Sequence, residues 1–176
     1  MESIGSLAVT PALERPELLA VPVAWALREL AGASDVGVAE IDPTLSDTAA
    51  FCEHYGIGME QAANCIVLKA KNGGYAALVV LGSTRADVNG TARREVGARV
   101  SFAPMDEAVK ETGMEYGAIT PIGLPAAWPI FIDKAVADSP RIVIGSGLRA
   151  SKLILPGTLL APLPNARVID DLSIHI

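Results

Sequence analysis

Two apolar β-type runs on either side of a glycine-rich turn are the feature that most constrains the fold of this chain. The runs cover residues 65–68 and Tyr75–Leu81, and Asn72, Gly73 and Gly74 lie between them. Asparagine and glycine tolerate the positive φ angles of the tight turns that join antiparallel strands. The sequence therefore predicts an antiparallel β-hairpin at the centre of the fold.

Short helical and strand-like stretches surround this hairpin without regular alternation. The predicted helices cover residues 16–32 with a break near Pro22, a stretch from the N-cap Ser46 to Gly56, residues 87–96, 104–112 and a final turn at 156–163. The other predicted strands cover residues 36–42, Val100–Phe102, Ile130–Asp133, 141–145 and 150–155. Such a mixture favours an α+β fold over a doubly wound sheet.

The segment 117–129, GAITPIGLPAAWP, has a different character from its neighbours. It contains three prolines and two glycines, so a regular helix or strand is excluded there and a constrained loop is predicted. Glycine permits close approach to the backbone, and proline fixes the conformation of the chain.

Length and composition indicate one domain with its own core. A chain of 176 residues that is 51% hydrophobic can bury enough surface to fold without a metal ion or a disulfide. Its two cysteines, Cys52 and Cys65, lack the spacing of a zinc site. We therefore expect buried free thiols in a reducing compartment, and no metal or cofactor.

The net charge of −6 excludes a simple polybasic nucleic-acid binder. The longest apolar run, residues 18–27, contains Pro22 and is far shorter than the ~20 residues of a membrane span, and the N-terminus has no basic region of a signal peptide. We therefore expect a cytoplasmic protein without membrane contact. A local cluster of Arg85, Arg93, Arg94 and Arg99 is either a solvated helix face or a surface that binds phosphate.

Familiar catalytic sets are scarce. A Ser-His-Asp triad would have to use His54 or His175, the only two histidines, which lie in a short predicted helix and next to the C-terminus. The Gly-Ser-Gly at 145–147 follows a strand but lacks the third glycine and the following helix of a dinucleotide site, so a tight turn is favoured. Asp133 ends a strand and is either a capping carboxylate or a group at the mouth of a pocket.

Several motifs occur in a characteristic order. They are residues 56–61 after a helix, the strand AANCIVL at 62–68, the turn at 72–74, a Gly-x-x-x-Pro loop at 117–121, Gly123, the strand IFID ending at Asp133, and IVIGSGLR at 142–149. In order and spacing they resemble the YbaK/ProX family of aminoacyl-tRNA editing domains. The resemblance implies an α+β fold with a mixed, barrel-like β-sheet flanked by short helices. It covers residues 46–163 of the single domain 1–176 and leaves residues 1–35 as an N-terminal helical extension.

The resemblance implies a trans-acting aminoacyl-tRNA deacylase, which hydrolyses the ester of a tRNA mischarged with a small amino acid such as Ala, Cys, Ser or Pro. Its substrate partner is then aminoacyl-tRNA, and an aminoacyl-tRNA synthetase is a second candidate partner. Backbone N–H groups of the loop at 117–121 would stabilise the developing oxyanion. The residues that the resemblance assigns to catalysis are Asn64, Gly117, Thr120, Pro121 and Asp133; those assigned to substrate binding are Gly123, Gly145, Ser146, Gly147 and Arg149; and those assigned to tRNA binding are Arg85, Arg93 and Arg94.

One position departs from the family pattern. Many members have a lysine that contacts the substrate at the start of the first hairpin strand, where this chain has Asn64, and Lys69 and Lys71 come too late to replace it. An amide can orient a carbonyl or hydroxyl group but cannot act as an acid or base. The reaction then depends on a tRNA ribose hydroxyl and an ordered water, or the substrate differs, or activity is lost. The alternatives are a non-catalytic module that binds aminoacyl-tRNA or a synthetase, and a hydrolase of a small acylated metabolite.

Overall fold

The computed structural model describes residues 1–176 as an α+β fold. The helices are α1 (Val21–Glu29), α2 (Thr48–Tyr55), α3 (Arg93–Val96), α4 (Met105–Thr112) and α5 (Lys134–Ala137). The strands are β1 (Thr10–Pro11), β2 (Gly37–Glu40), β3 (Ala63–Ala70), β4 (Tyr75–Leu81), β5 (Thr84–Ala86), β6 (Val100–Phe102), β7 (Ile130–Asp133), β8 (Ile142–Gly145), β9 (Ser151–Leu155), β10 (Ala166–Ile169) and β11 (Ser173–His175). No helix is both long enough and apolar enough to span a membrane.

The predicted hairpin is confirmed as the centre of a five-stranded sheet. Its strand order is β10-β7-β4-β3-β6, with β3 and β4 antiparallel and β7 parallel to both β4 and β10. At the turn, the Asn72 side chain accepts a hydrogen bond from the Gly74 amide, and Gly73 has a φ of +94°. A side-chain amide that replaces a backbone acceptor is a usual way to close such a turn.

The remaining strands form two further sheets, so the barrel-like arrangement expected from the sequence is not found. A four-stranded antiparallel sheet has the order β1-β2-β9-β8, and β11 pairs with β5. A single bridge, between Ala62 and Val143, joins the two large sheets. The edge of β3 that faces away from β4 pairs with β6 only from Leu68 to Ala70. A barrel would need that edge to continue pairing with β8, and this pairing is not made.

Local chemistry explains where the helices differ from their predicted positions. The N-terminal helix starts at Val21 rather than Pro16, and Pro22 lies in its first turn, where a missing N–H leaves no hydrogen bond unmade. Asp47 caps α2 in place of the predicted Ser46, because its carboxylate accepts hydrogen bonds from the amides of residues 49 and 50. The stretch 87–96 begins with a π-helical turn before α3.

The main core lies between the two large sheets and α1. Val23 and Leu27 of α1 are fully buried against Ile132 of β7 and against Ile144 and Leu153 of the β8–β9 pair. Burial of apolar surface of this kind contributes about 25 cal/mol per Å² to stability. The N-terminal segment is therefore an integral part of this core.

Candidate active site

A cavity of about 540 Å³ opens along the unpaired edge of β3. One wall is β3 from Ala63 to Val67, and the opposite wall is formed by Gly117 and Ile119 of the proline-rich loop together with Gly145 at the end of β8. The polar lining side chains are Ser46, Asp47, Thr48, Asn64, Arg149 and Lys152. The cavity thus occupies the gap between the two large sheets.

The loop approaches β8 closely because position 145 has no side chain. The Gly147 amide donates a hydrogen bond to the Ala118 carbonyl over 2.8 Å, and the Ala118 amide donates to the Glu115 carbonyl over 3.1 Å. Gly117 has a φ of +83°, a conformation that residues with a Cβ rarely adopt. Glycines at both positions therefore let the backbone itself form this wall of the cavity.

Two backbone amides within residues 117–121 have no hydrogen-bond partner in the protein. The Thr120 amide contacts the sulfur of Met114 at 3.5 Å, and the Ala118 amide is hydrogen-bonded as described. The amides of Gly117 and Ile119 donate no hydrogen bond to any protein atom, and both residues line the cavity. Backbone N–H groups without partners are the donors from which oxyanion holes are built.

Arg149 holds the loop to the segment that precedes α2. Its guanidinium donates to the carbonyl oxygens of Tyr116 and Pro43, at 3.1 and 3.2 Å. Its own amide donates to the Glu115 carboxylate over 2.8 Å. No carboxylate forms an ion pair with the guanidinium, so a positive charge remains on the cavity wall.

Asn64 lies on β3 with one side-chain group free. Its Oδ1 accepts a hydrogen bond from the Thr48 hydroxyl of α2, which fixes the orientation of the amide. Its Nδ2 donates no hydrogen bond to the protein, and the residue is half-buried on the cavity wall. Asn64 can therefore donate a hydrogen bond to a ligand carbonyl or hydroxyl group.

Lys152 is a wall residue that sequence reasoning missed. It lies on β9, is 7% exposed, and its Nζ donates to the Ser46 carbonyl over 3.0 Å. Burial lowers the pKa of this ammonium to about 8, although Cys52 and Asp47 oppose the shift and Arg149 adds to it. The available signal was a lysine inside the strand-like run SKLIL, where the neighbouring positions are apolar.

The structure brings four of the ten predicted catalytic and substrate-binding residues to this cavity. Those four are Asn64, Gly117, Gly145 and Arg149, and the residues that do not line the cavity are Thr120, Pro121, Gly123, Asp133, Ser146 and Gly147. The hydroxyl groups of Ser146 and Ser151 are hydrogen-bonded to each other, and the buried Thr120 hydroxyl has no hydrogen-bond partner.

Asp133 lies in a different part of the fold, next to β11. The hydroxyl of Ser173 donates a hydrogen bond to its carboxylate. The residue is 3% exposed, and burial raises the pKa of the carboxyl group despite that hydrogen bond. Asp133 also precedes α5 as its N-cap residue. Its side chain makes no capping hydrogen bond and does not line the cavity, so its contacts match neither the capping carboxylate nor the group at a pocket mouth that the sequence left open.

The predicted tRNA-binding arginines are distributed over separate surfaces. Arg93 lines a second groove of about 540 Å³, here called the basic groove, together with Lys69, Lys71 and Arg99. Lys69 is paired with Glu107, but the other three cations of the basic groove form no ion pair. Arg85 lies on β5 outside this groove, and Arg94 pairs with Asp171 at 3.5 Å.

The basic groove and the cavity are neighbours along the same two strands. On β3 the cavity ends at Val67 and the groove begins at Lys69, and on β6 the cavity includes Phe102 whereas the groove includes Ser101. A ligand that extends from the cavity along β3 and β6 would therefore meet the unpaired cations.

Comparison with known proteins gives a family and a fold. The sequence model of the aminoacyl-tRNA editing domain family matches residues 42–162. A solved structure of a candidate trans-editing enzyme for prolyl-tRNA synthetase is similar, with a TM-score of 0.74 and 24% sequence identity over 86% of this chain and 94% of that one. The hypothetical protein APE2540 has a TM-score of 0.70 and 22% identity over 78% of this chain and 90% of its own. No curated protein matches the sequence.

Proposed function

Because the chain belongs to the aminoacyl-tRNA editing domain family, we propose that it is a trans-acting aminoacyl-tRNA deacylase. The reaction hydrolyses the ester that joins an aminoacyl group to the terminal ribose of a mischarged tRNA. We also propose that residues 1–176 form one domain, with the editing core at residues 46–163. A tRNA substrate and two cysteines without a disulfide fit a cytoplasmic setting.

The observation that carries the proposal is the pair of unpartnered amides, Gly117 and Ile119, on the cavity wall. Water adds to the ester carbonyl carbon, and the electron pair of the C=O bond moves onto its oxygen. The two N–H groups stabilise this oxyanion as it develops. The bond to the ribose oxygen then breaks, the ribose hydroxyl recovers a proton, and the amino acid leaves as a carboxylate with release of one proton.

No protein nucleophile is needed for this reaction. An aminoacyl ester is already activated, so positioning of water and stabilisation of the oxyanion can supply the rate enhancement. Asn64 is suited to positioning, because Thr48 fixes its Oδ1 and leaves its Nδ2 free to hold the substrate. This assignment accounts for an asparagine where many family members have lysine.

Selection of the amino acid would depend on the size of the cavity. An apolar pocket discriminates a single methylene by only ~1–3 kcal/mol. A separate site that hydrolyses small, wrongly attached amino acids is therefore useful. We therefore propose a small substrate side chain, of Ala, Cys, Ser or Pro. The similar structure is described in relation to prolyl-tRNA synthetase, which supports proline tRNA as the first tRNA to test and that synthetase as a candidate partner.

The basic groove is proposed as the surface for the tRNA backbone. Lys71, Arg93 and Arg99 carry charges that no carboxylate neutralises. Each phosphate that such a cation contacts releases counterions, so binding gains affinity and becomes dependent on salt. This local basic surface could attract phosphate groups although the net charge of the chain is −6.

A panel of charged tRNAs tests the proposal. The purified protein is incubated with tRNAs separately charged with Ala, Cys, Ser, Pro and Thr, and loss of the ester is compared with a control without protein. Selective turnover of one or two of these tRNAs is expected.

The second candidate is a non-catalytic module that binds aminoacyl-tRNA or a synthetase, and the absence of charge at Asn64 favours it. Binding of the same tRNAs without any turnover would establish this candidate instead.

A further inference from the structure

Lys152 is the only lysine or arginine of the chain that is buried. An ammonium group is strongly hydrated, and burial without a compensating charge has a high free-energy cost. Lys152 forms no ion pair, and the charges that influence it are those of Asp47, Cys52 and Arg149. Its position therefore needs an explanation beyond packing.

The surroundings of the ammonium leave part of its hydrogen-bonding capacity unused. One N–H donates to the Ser46 carbonyl, and the Nζ lies 5.0 Å from the centre of the Phe51 ring. An aromatic face stabilises a cation without accepting a full hydrogen bond. No other protein oxygen accepts from the Nζ, which leaves a donor for a ligand in the cavity that Lys152 lines.

A purely structural role does not require the charge. Position 152 lies in a strand whose other residues are all buried, and an uncharged side chain of similar length would fill the same space without desolvation of an ion. A charged group kept in a buried wall position is typical of sites that bind an anionic or strongly polarised oxygen.

We propose that Lys152 is a catalytic residue whose ammonium donates a hydrogen bond to the carbonyl oxygen of the ester held in the cavity. This inference rests on the proposed deacylase function and adds to it a charged donor from β9. Asn64 and the loop amides are neutral donors, whereas a charge-assisted hydrogen bond is stronger and gains most as the oxygen becomes negative. Lys152 keeps its proton throughout, so the overall reaction remains addition of one water across the ester bond.

The test compares wild type with Lys152→Met and with the exposed control Lys110→Met on α4. Single-turnover rates and KM are measured on the aminoacyl-tRNA that wild type deacylates. We expect Lys152→Met to lower the rate about 100-fold with KM changed less than about threefold, because the interaction strengthens in the transition state. Lys110→Met is expected to match wild type. An unchanged rate, or a rise in KM alone, would overturn the proposal.

A pH profile provides a second readout that a structural role would not produce. The rate ratio of wild type to Lys152→Met is expected to fall as pH rises through about 8, because the ammonium then loses its proton. A ratio that stays constant from pH 6.5 to 9.5 contradicts the proposal. If Lys152→Met does not fold, Lys152→Gln replaces it. Absence of turnover by wild type on every charged tRNA would contradict the deacylase function itself, which separates the two failures.

Discussion

The carbonyl oxygen of Ala118 occupies the space that a side chain at position 145 would need. An ideal Cβ built on Gly145 lies 2.5 Å from this oxygen, a distance that real Cβ atoms do not show. The contact sets how closely the loop approaches β8, and hence where the free amides of Gly117 and Ile119 lie.

Gly145→Ala is therefore expected to displace the loop and lower the deacylation rate about tenfold or more. Overpacking of this kind also costs about 1–3 kcal/mol of unfolding free energy, which a thermal melt detects. Gly74→Ala is the matched control, because its Cβ would meet only the Asn72 side chain at 3.4 Å. Equal rates for Gly145→Ala and wild type would show that the loop position is unimportant.

Asn64→Ala is expected to lower the single-turnover rate much more than tRNA affinity. The substitution removes the free Nδ2 donor that would orient the substrate, but it leaves the basic groove intact. Thr48→Val removes the hydroxyl that fixes this amide, so a smaller loss is expected from that variant. If Asn64→Ala retained the full rate, the residue would have no part in the reaction.

Charge reversal in the basic groove is expected to raise KM without a change in the rate at saturation. Arg93→Glu removes one phosphate contact and lowers the salt dependence of binding by about one counterion. Arg85→Glu is the matched control, since Arg85 is also exposed but lies outside this groove. Similar KM values for both variants would contradict the assignment of this surface to tRNA.

Asp133→Asn is expected to leave deacylation unchanged, because the carboxyl group lies beside Ser173 and not in the cavity. Burial raises the pKa of this carboxyl group in the folded state, so its contribution to stability is present at low pH and is lost as pH rises above its ordinary value of about 3.9. The difference in melting temperature between variant and wild type should therefore grow in favour of the variant as pH rises through the acid range. A large loss of activity with an intact fold would return Asp133 to the catalytic site.

The hairpin and the proline-rich loop could be predicted from local signals, whereas Asn64, Gly117, Gly145 and Arg149 were assigned to the site by the family resemblance. Asn72 to Gly74 form a turn because of their own backbone preferences, and Gly117 and Gly145 are required by a positive φ and by a close backbone approach. The turn and the φ of Gly117 are local constraints, whereas the close approach at Gly145 involves Ala118, which is distant in sequence.

The remaining parts depend on tertiary contacts. Lys152 is buried because β9 is covered on both faces, which strand alternation alone does not reveal. Asp133 ends the predicted strand, but its hydrogen-bond partner Ser173 belongs to β11, a short strand that was not predicted. The barrel does not close because only Ala62, the residue before β3, bridges to β8, and pairing between distant strands is not encoded by local propensity.

The central claim is that the free loop amides of this cavity stabilise the oxyanion of an aminoacyl ester. The most direct measurement is the single-turnover deacylation rate of the chain in which the α-hydroxy analogue of isoleucine replaces Ile119, so that an oxygen takes the place of the N–H and the side chain is kept. Loss of one oxyanion donor predicts a fall of about 10²–10³-fold relative to wild type at similar tRNA affinity. A rate equal to that of wild type, or a wild-type rate no faster than spontaneous hydrolysis, would contradict the account.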